Sequence, residues 1–198
     1  MSDPAEIVAD YTAAATANAC RVHGPVGAPD AVTLVTAIVA AHGAGPGGAK
    51  AAVADDRLTT ALGVTAALTA AGTSVLSPDD PGWRTDLMRA AAGVTGAALA
   101  VAQTGSLVLT PGPGAPRATS LVPPVHVCLL ATDTIVATID DAIARLGACS
   151  PGGLPGAITW VGGPSRTSDL EMRPTLGIHG PKTVEVVLVE GGIAEPGR

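Results

Sequence analysis

Phenylalanine is absent from this chain, and the other aromatic residues amount to one Tyr and two Trp. The apolar residues that remain are mostly Ala and Val, so a core must be made of small and branched aliphatic side chains. That favours helices layered on a sheet. Basic residues are scarce too: the 11 Lys and Arg stand against 17 Asp and Glu, for a net charge of −6. Such a balance offers no basic stripe to neutralise phosphates, which argues against nucleic-acid binding. The three cysteines Cys20, Cys128 and Cys149 have no C-x-x-C spacing. Neither a disulfide framework nor a cysteine-only zinc or iron–sulfur site is expected, no cofactor or metal is predicted, and a reducing compartment fits best. Although 47% of residues are hydrophobic and mean hydropathy is +0.41, no stretch approaches the roughly 20 uninterrupted apolar residues of a membrane helix. The opening carries Asp3, Glu6 and Asp10 where a secretory signal has positive charge and then an apolar block. A cytoplasmic protein with no membrane span is the expectation. A G-x-S-x-G elbow is also missing, which leaves nucleophilic catalysis little support.

With 198 residues the chain has room for one domain with a substantial core and none for a second. The expected organisation is a single domain over 1–198, in which 1–25 hold a leading helix and 191–198 form a loose tail. Pro4 to about Arg21 reads as that helix, closed by His23-Gly24-Pro25. Ala31 to His42 reads as a second helix, although its branched residues leave a strand open. Ala51–Ala54 is a short apolar run. Arg57–Ala71 has helical spacing and Thr73–Leu76 follows as a strand, the alternation that builds parallel sheets. After a helix over Trp83–Ala92, Val94–Ala102 and Leu107–Thr110 read as a hairpin. Val125–Ala131 is the continuous apolar run of a strand buried on both faces. Thr138–Leu146 is helical, with Asp140 and Asp141 near its start and Arg145 near its end. Ala157–Val161 and Thr183–Glu190 read as strands. The predicted class is α/β: three layers, α/β/α, with a mostly parallel sheet and an antiparallel hairpin.

Three segments carry polar chemistry. Gly162-Gly163-Pro164-Ser165-Arg166-Thr167-Ser168-Asp169-Leu170-Glu171 follows a predicted strand and precedes a short helical stretch. There glycines admit a ligand to the backbone and Arg166 offers a planar fork to a carboxylate or phosphate. The alternative is a helix cap made by Ser165, Thr167 or Ser168, with Asp169 and Glu171 in its first turn. Gly177-Ile178-His179-Gly180-Pro181-Lys182 sets an imidazole between glycines, as a general acid or base, as a metal ligand or as a hydrogen-bonded structural residue, and no neighbouring H-x-x-x-H or related spacing promotes the metal role. In Gln103-Thr104-Gly105-Ser106 a polar turn either displays its side chains to a ligand, with Arg117 and Ser120 downstream, or merely joins two strands. His126 opens an apolar run, where a satisfied core histidine is the default.

Taken in order, Gly93–Leu109 (GVTGAALAVAQTGSLVL), Arg117–Leu130 (RATSLVPPVHVCLL) and Gly162–Val189, with its G-P-S-R-T-x-D-L-E and G-x-H-G-P elements, closely resemble the LUD-domain proteins of the LutC-like lactate-utilisation kind (DUF162 group). The resemblance implies a fold like the NagB/RpiA/CoA-transferase group. It implies a role in oxidising L-lactate to pyruvate beside iron–sulfur partner proteins, with this chain as a non-redox accessory subunit. Carried over by position, Asp169, Glu171 and His179 are the candidate catalytic residues. Gln103, Thr104, Gly105, Arg117, Ser165, Arg166, Thr167 and Gly180 are the candidate binding residues for a small carboxylate or phosphate. Gln103 and Ser106 stand where the family usually has Glu and Thr. The alternative expectation is a stand-alone enzyme or binding module for a phosphorylated sugar, nucleotide or acyl-CoA.

Overall fold

The structure is a computed structural model that describes residues 3–43, 48–112, 114–148, 154, 156–168, 174–176 and 180–191, with the backbone alone over 166–168 and 174–176. Its helices are α1 (Pro4–Ala17), α2 (Ala28–His42), α3 (Arg57–Ala61), α4 (Val64–Ala70), α5 (Trp83–Leu87), α6 (Ala118–Leu121) and α7 (Ile139–Ala148). Its strands are β1 (Arg21–Val26), β2 (Lys50–Val53), β3 (Ser74–Leu76), β4 (Ala92–Gly96), β5 (Leu99–Val101), β6 (Ser106–Leu109), β7 (Val125–Ala131), β8 (Ile135–Val136), β9 (Thr159–Val161), β10 (Arg166–Ser168), β11 (Pro174–Leu176) and β12 (Thr183–Val189).

Among the described residues, six strands form a parallel sheet in the order β1-β12-β7-β4-β2-β3. The predicted class is the observed one. Along β7 and β12 successive residues point to opposite faces, and both faces are covered. Val127, Leu129, Val187 and Val189 pack with Val35 and Val39 of α2 and with Leu58, Val64 and Leu68 of α3 and α4. Cys128, Leu130, Val186 and Leu188 pack on the other side with Tyr11 and Ala15 of α1 and with Leu107 and Leu109 of β6. A four-stranded sheet, β8-β5-β6-β9, lies on this second side. Its far face is closed by Ala142 and Leu146 of α7 against Leu99, Val101 and Val108. The absence of Phe is met by these aliphatic contacts between layers.

Several expectations are corrected. The leading helix ends at Ala17 and Arg21–Val26 becomes β1, paired with β12. A strand containing Gly24-Pro25 lacks one ladder donor and has little side chain to bury, which places it at a sheet edge and hides it from pattern reading. The helix over Arg57–Ala71 is two, because Gly63 has φ +63° between α3 and α4, a conformation that glycine adopts without steric penalty. Trp83–Leu87 is shorter than the expected helix, and the run Val94–Ala102 is divided between β4 of the large sheet and β5 of the small one. Residues 28–42 are helical, the branched residues notwithstanding, since Ala31, Val35 and Val39 recur at the spacing that buries one helix face. Arg166–Ser168 forms a strand antiparallel to Pro174–Leu176, not the start of a helix.

Among the described residues, Glu185 carries a carboxylate into the large core. Glu185 on β12 is 2% exposed, and its carboxylate takes Arg21 Nη1 at 3.0 Å, His23 Nε2 at 2.8 Å and, more distantly, His42 Nε2 at 3.6 Å. This group ties edge strand β1 and the end of α2 to the sheet.

Candidate functional site

All six strands of the large sheet end on the same edge, and there the connections after β2 and β4 diverge. The chain leaves β2 into α3 on one face, whereas it leaves β4 into β5 on the other. Such a divergence opens a crevice at the carboxyl ends of the strands, where open α/β sheets hold ligands. A cavity of about 320 Å³ lies there. Ala54 and Asp56 border it after β2, Thr95 to Ala98 after β4, and Ala131 at the end of β7.

Asp56 organises the crevice. As N-cap of α3, its Oδ1 accepts the backbone N–H groups of Leu58 and Thr59 at 3.0 and 3.1 Å. Its Oδ2 accepts the N–H of Gly96 at 2.6 Å, which fastens the end of β4 to the start of α3. Burial holds the Asp56 carboxyl above its ordinary value of 3.8, against the opposing effect of those donors. Around the opening stand Arg57, Arg117 and Arg145. Arg145 Nη1 donates to Asp133 O at 3.1 Å, which fixes its guanidinium. In a chain of net charge −6, a cavity with Arg57, Arg117 and Arg145 beside Asp56 is a local reversal of sign. Planar guanidiniums bind carboxylate and phosphate oxygens through paired N–H donors.

A domain model described as the LUD domain matches residues 8–189. The chain belongs to the LUD domain family. Lactate utilization protein C of Deinococcus radiodurans is 35% identical over 134 residues, 67% of this chain and 62% of that protein. Lactate utilization protein C of Halalkalibacterium halodurans is 32% identical over 100 residues, 50% of this chain and 44% of that protein. The chain thus matches less than two thirds of the length of each of these relatives. A crystal structure of a DUF162 family protein from Deinococcus radiodurans superposes with TM-score 0.65 at 21% identity, covering 96% of this chain and 99% of that one. That likeness concerns the fold.

Of the LUD-family positions singled out in the sequence, Arg117 borders the cavity, as does the neighbouring Ser120. The turn Gln103-Thr104-Gly105 lies elsewhere: Asn18 Nδ2 donates to Thr104 O at 2.8 Å, and Gly105 sits against the α1 backbone at Ala14 and Ala15. These contacts make the turn a docking point for α1. The segments of Ser165 and Gly180 do meet, since Ser165 N donates to Pro181 O at 2.9 Å and Gly180 lies beside Ser165 Cβ. Lys182 N in turn donates to Pro124 O at 2.8 Å, so this junction lies at the amino ends of β7 and β12, the edge opposite the cavity. Arg166 and Thr167 belong to β10 by their backbone. Asp169, Glu171 and His179 lie outside the described residues.

Sequence reading passed over Asp56, Arg57, Thr95 and Arg145. A signal existed for Asp56: acidic residues directly after a short apolar strand, followed by a helix, mark a capped turn at a strand's carboxyl end. Nothing local marked Arg145, which arrives from a helix of another layer.

Proposed function

We propose that this LUD-domain chain serves lactate utilisation as a non-redox subunit, binding a small carboxylate in the cavity at the carboxyl edge while iron–sulfur partner proteins take the electrons. Oxidising L-lactate to pyruvate releases two electrons and two protons, and the three cysteines of this sequence have no cluster spacing with which to receive electrons. The relatives named for lactate utilisation support the metabolic assignment. The observation that carries the reading is the set of Arg57, Arg117 and Arg145 around a crevice at the point where the strand connections diverge.

The test is growth on L-lactate as sole carbon source. Loss of the gene is expected to abolish growth, wild type to restore it, and an Arg117→Ala, Arg145→Ala double variant to fail despite normal folding. Undiminished growth of the deletion strain overturns the proposal. One observation favours a second reading, a ligand such as a phosphorylated sugar, nucleotide or acyl-CoA: at about 320 Å³ the cavity falls at the lower end of the roughly 300–1,000 Å³ typical of sites for larger organic ligands. A thermal-shift comparison of lactate with these compounds separates the two.

A further inference from the structure

Beneath the cavity a short chain of hydrogen bonds runs through the core. Thr95, a cavity residue, has its hydroxyl 2.8 Å from Nε2 of His126 and 3.7 Å from Sγ of Cys128, and Cys128 Sγ in turn lies 3.7 Å from Leu129 O. His126 and Cys128 are 1% and 0% exposed, so water does not compete for their side of the chain, whereas Thr95, 6% exposed, borders the cavity.

The direction of the chain follows from its last member. A backbone carbonyl only accepts, so the Cys128 thiol donates to Leu129 O and its sulfur is left to accept. The sulfur so placed can take the Thr95 hydroxyl at 3.7 Å, an order in which the Thr95 oxygen accepts from Nε2 of His126. The imidazole points to the same order independently. Its Nδ1 is buried without a partner, and a bare acceptor is tolerated there more readily than an orphaned N–H. Burial also pushes this histidine down to about 4, so near neutral pH the ring carries one proton for its two nitrogens.

We propose that His126 is the positioning residue of the cavity: protonated at Nε2, it donates to Thr95 and so turns the Thr95 hydroxyl into a fixed donor for an oxygen of the bound anion. The proposal rests on the anion reading of the cavity. Without ligand the hydroxyl proton goes to sulfur, a weak acceptor. An anionic oxygen forms a stronger, charge-assisted bond and takes it over. Neither His126 nor Cys128 touches the ligand; Thr95 does.

Two measurements test this. Two-bond nitrogen–proton spectra of the His126 ring at pH 7 read the tautomer in the unaltered protein, with the Nε2–H form expected. Calorimetric titration with L-lactate and with inorganic phosphate then compares variants: Thr95→Val weakens binding about tenfold, the worth of one hydrogen bond to a charged group, whereas Thr95→Ser keeps the donor and the affinity. An Nδ1–H tautomer overturns the proposal whatever binds, and does so even if Thr95→Val fails to fold. Equal affinity of wild type and Thr95→Val overturns it while leaving the anion site standing. Failure of wild type to bind either probe overturns the anion reading and the donor role with it.

Discussion

His126 links a single buried side chain to the acid stability of the molecule. Its folded value of about 4 lies below the ordinary 6.5, so as pH falls below 6.5 the unfolded chain takes up the proton first. The stability at stake is fully present above pH 6.5 and is lost as pH falls toward 4. Between pH 7 and pH 5 the loss is about 2 kcal/mol, at ~1.4 kcal/mol per pH unit below the ordinary value. Asp56 acts with the opposite sign, because a raised carboxyl favours the folded state when protonated and costs stability as pH rises through its folded value. The loss of stability between pH 7 and pH 5, read from urea midpoints, is expected to be smaller in His126→Asn than in wild type by about the His126 contribution, because asparagine has no proton to take up.

At the scale of elements, two close approaches hold the layers. A Cβ at Gly93 of β4 would overlap the carbonyl of Thr119 in α6, and backbone cannot turn aside as a side chain does. Gly93→Ala should therefore displace α6 and destabilise the fold by about 1–3 kcal/mol, as overpacked sites do, read as a lower urea midpoint. On the opposite face Glu185 joins β1 and α2 to the sheet through Arg21, His23 and His42. These partners keep contact with solvent, Arg21 being 65% exposed, so they rehydrate when the carboxylate is removed. Glu185→Gln is accordingly expected to cost about 1–3 kcal/mol. The loss is local: amide exchange should accelerate in β1, an edge strand, well before β7 in the centre.

For the molecule as a whole, acidic charge and an arginine-rimmed opening coexist. No helix among the described residues is long and apolar enough to cross a membrane. The purified chain should not oxidise lactate with an artificial electron acceptor. It should nevertheless gain about 2.7 kcal/mol of stability in a ligand at one hundred times its dissociation constant, seen as a rise in melting temperature that salt diminishes. Turnover by the isolated chain would contradict a non-redox role.

Much of this protein is written in local pattern. The apolar run Val125–Ala131 specified a doubly buried central strand, and alternating strand and helix signals specified a parallel α/β sheet, because burial dictates side-chain periodicity residue by residue. Gly93 and Arg117 fell within the motifs that carried the family resemblance, although what Gly93 packs against was not legible there. Tertiary structure alone decided the rest. It made a strand of Arg21–Val26, whose weak pattern is rescued by pairing with β12, and it divided the run after Ala92 between two sheets. It also set Asp56, Thr95, Arg117 and Arg145, far apart in sequence, around one opening. Such a convergence depends on which way each connection leaves the sheet, and that is fixed by the packing of whole layers, not by any short stretch of residues.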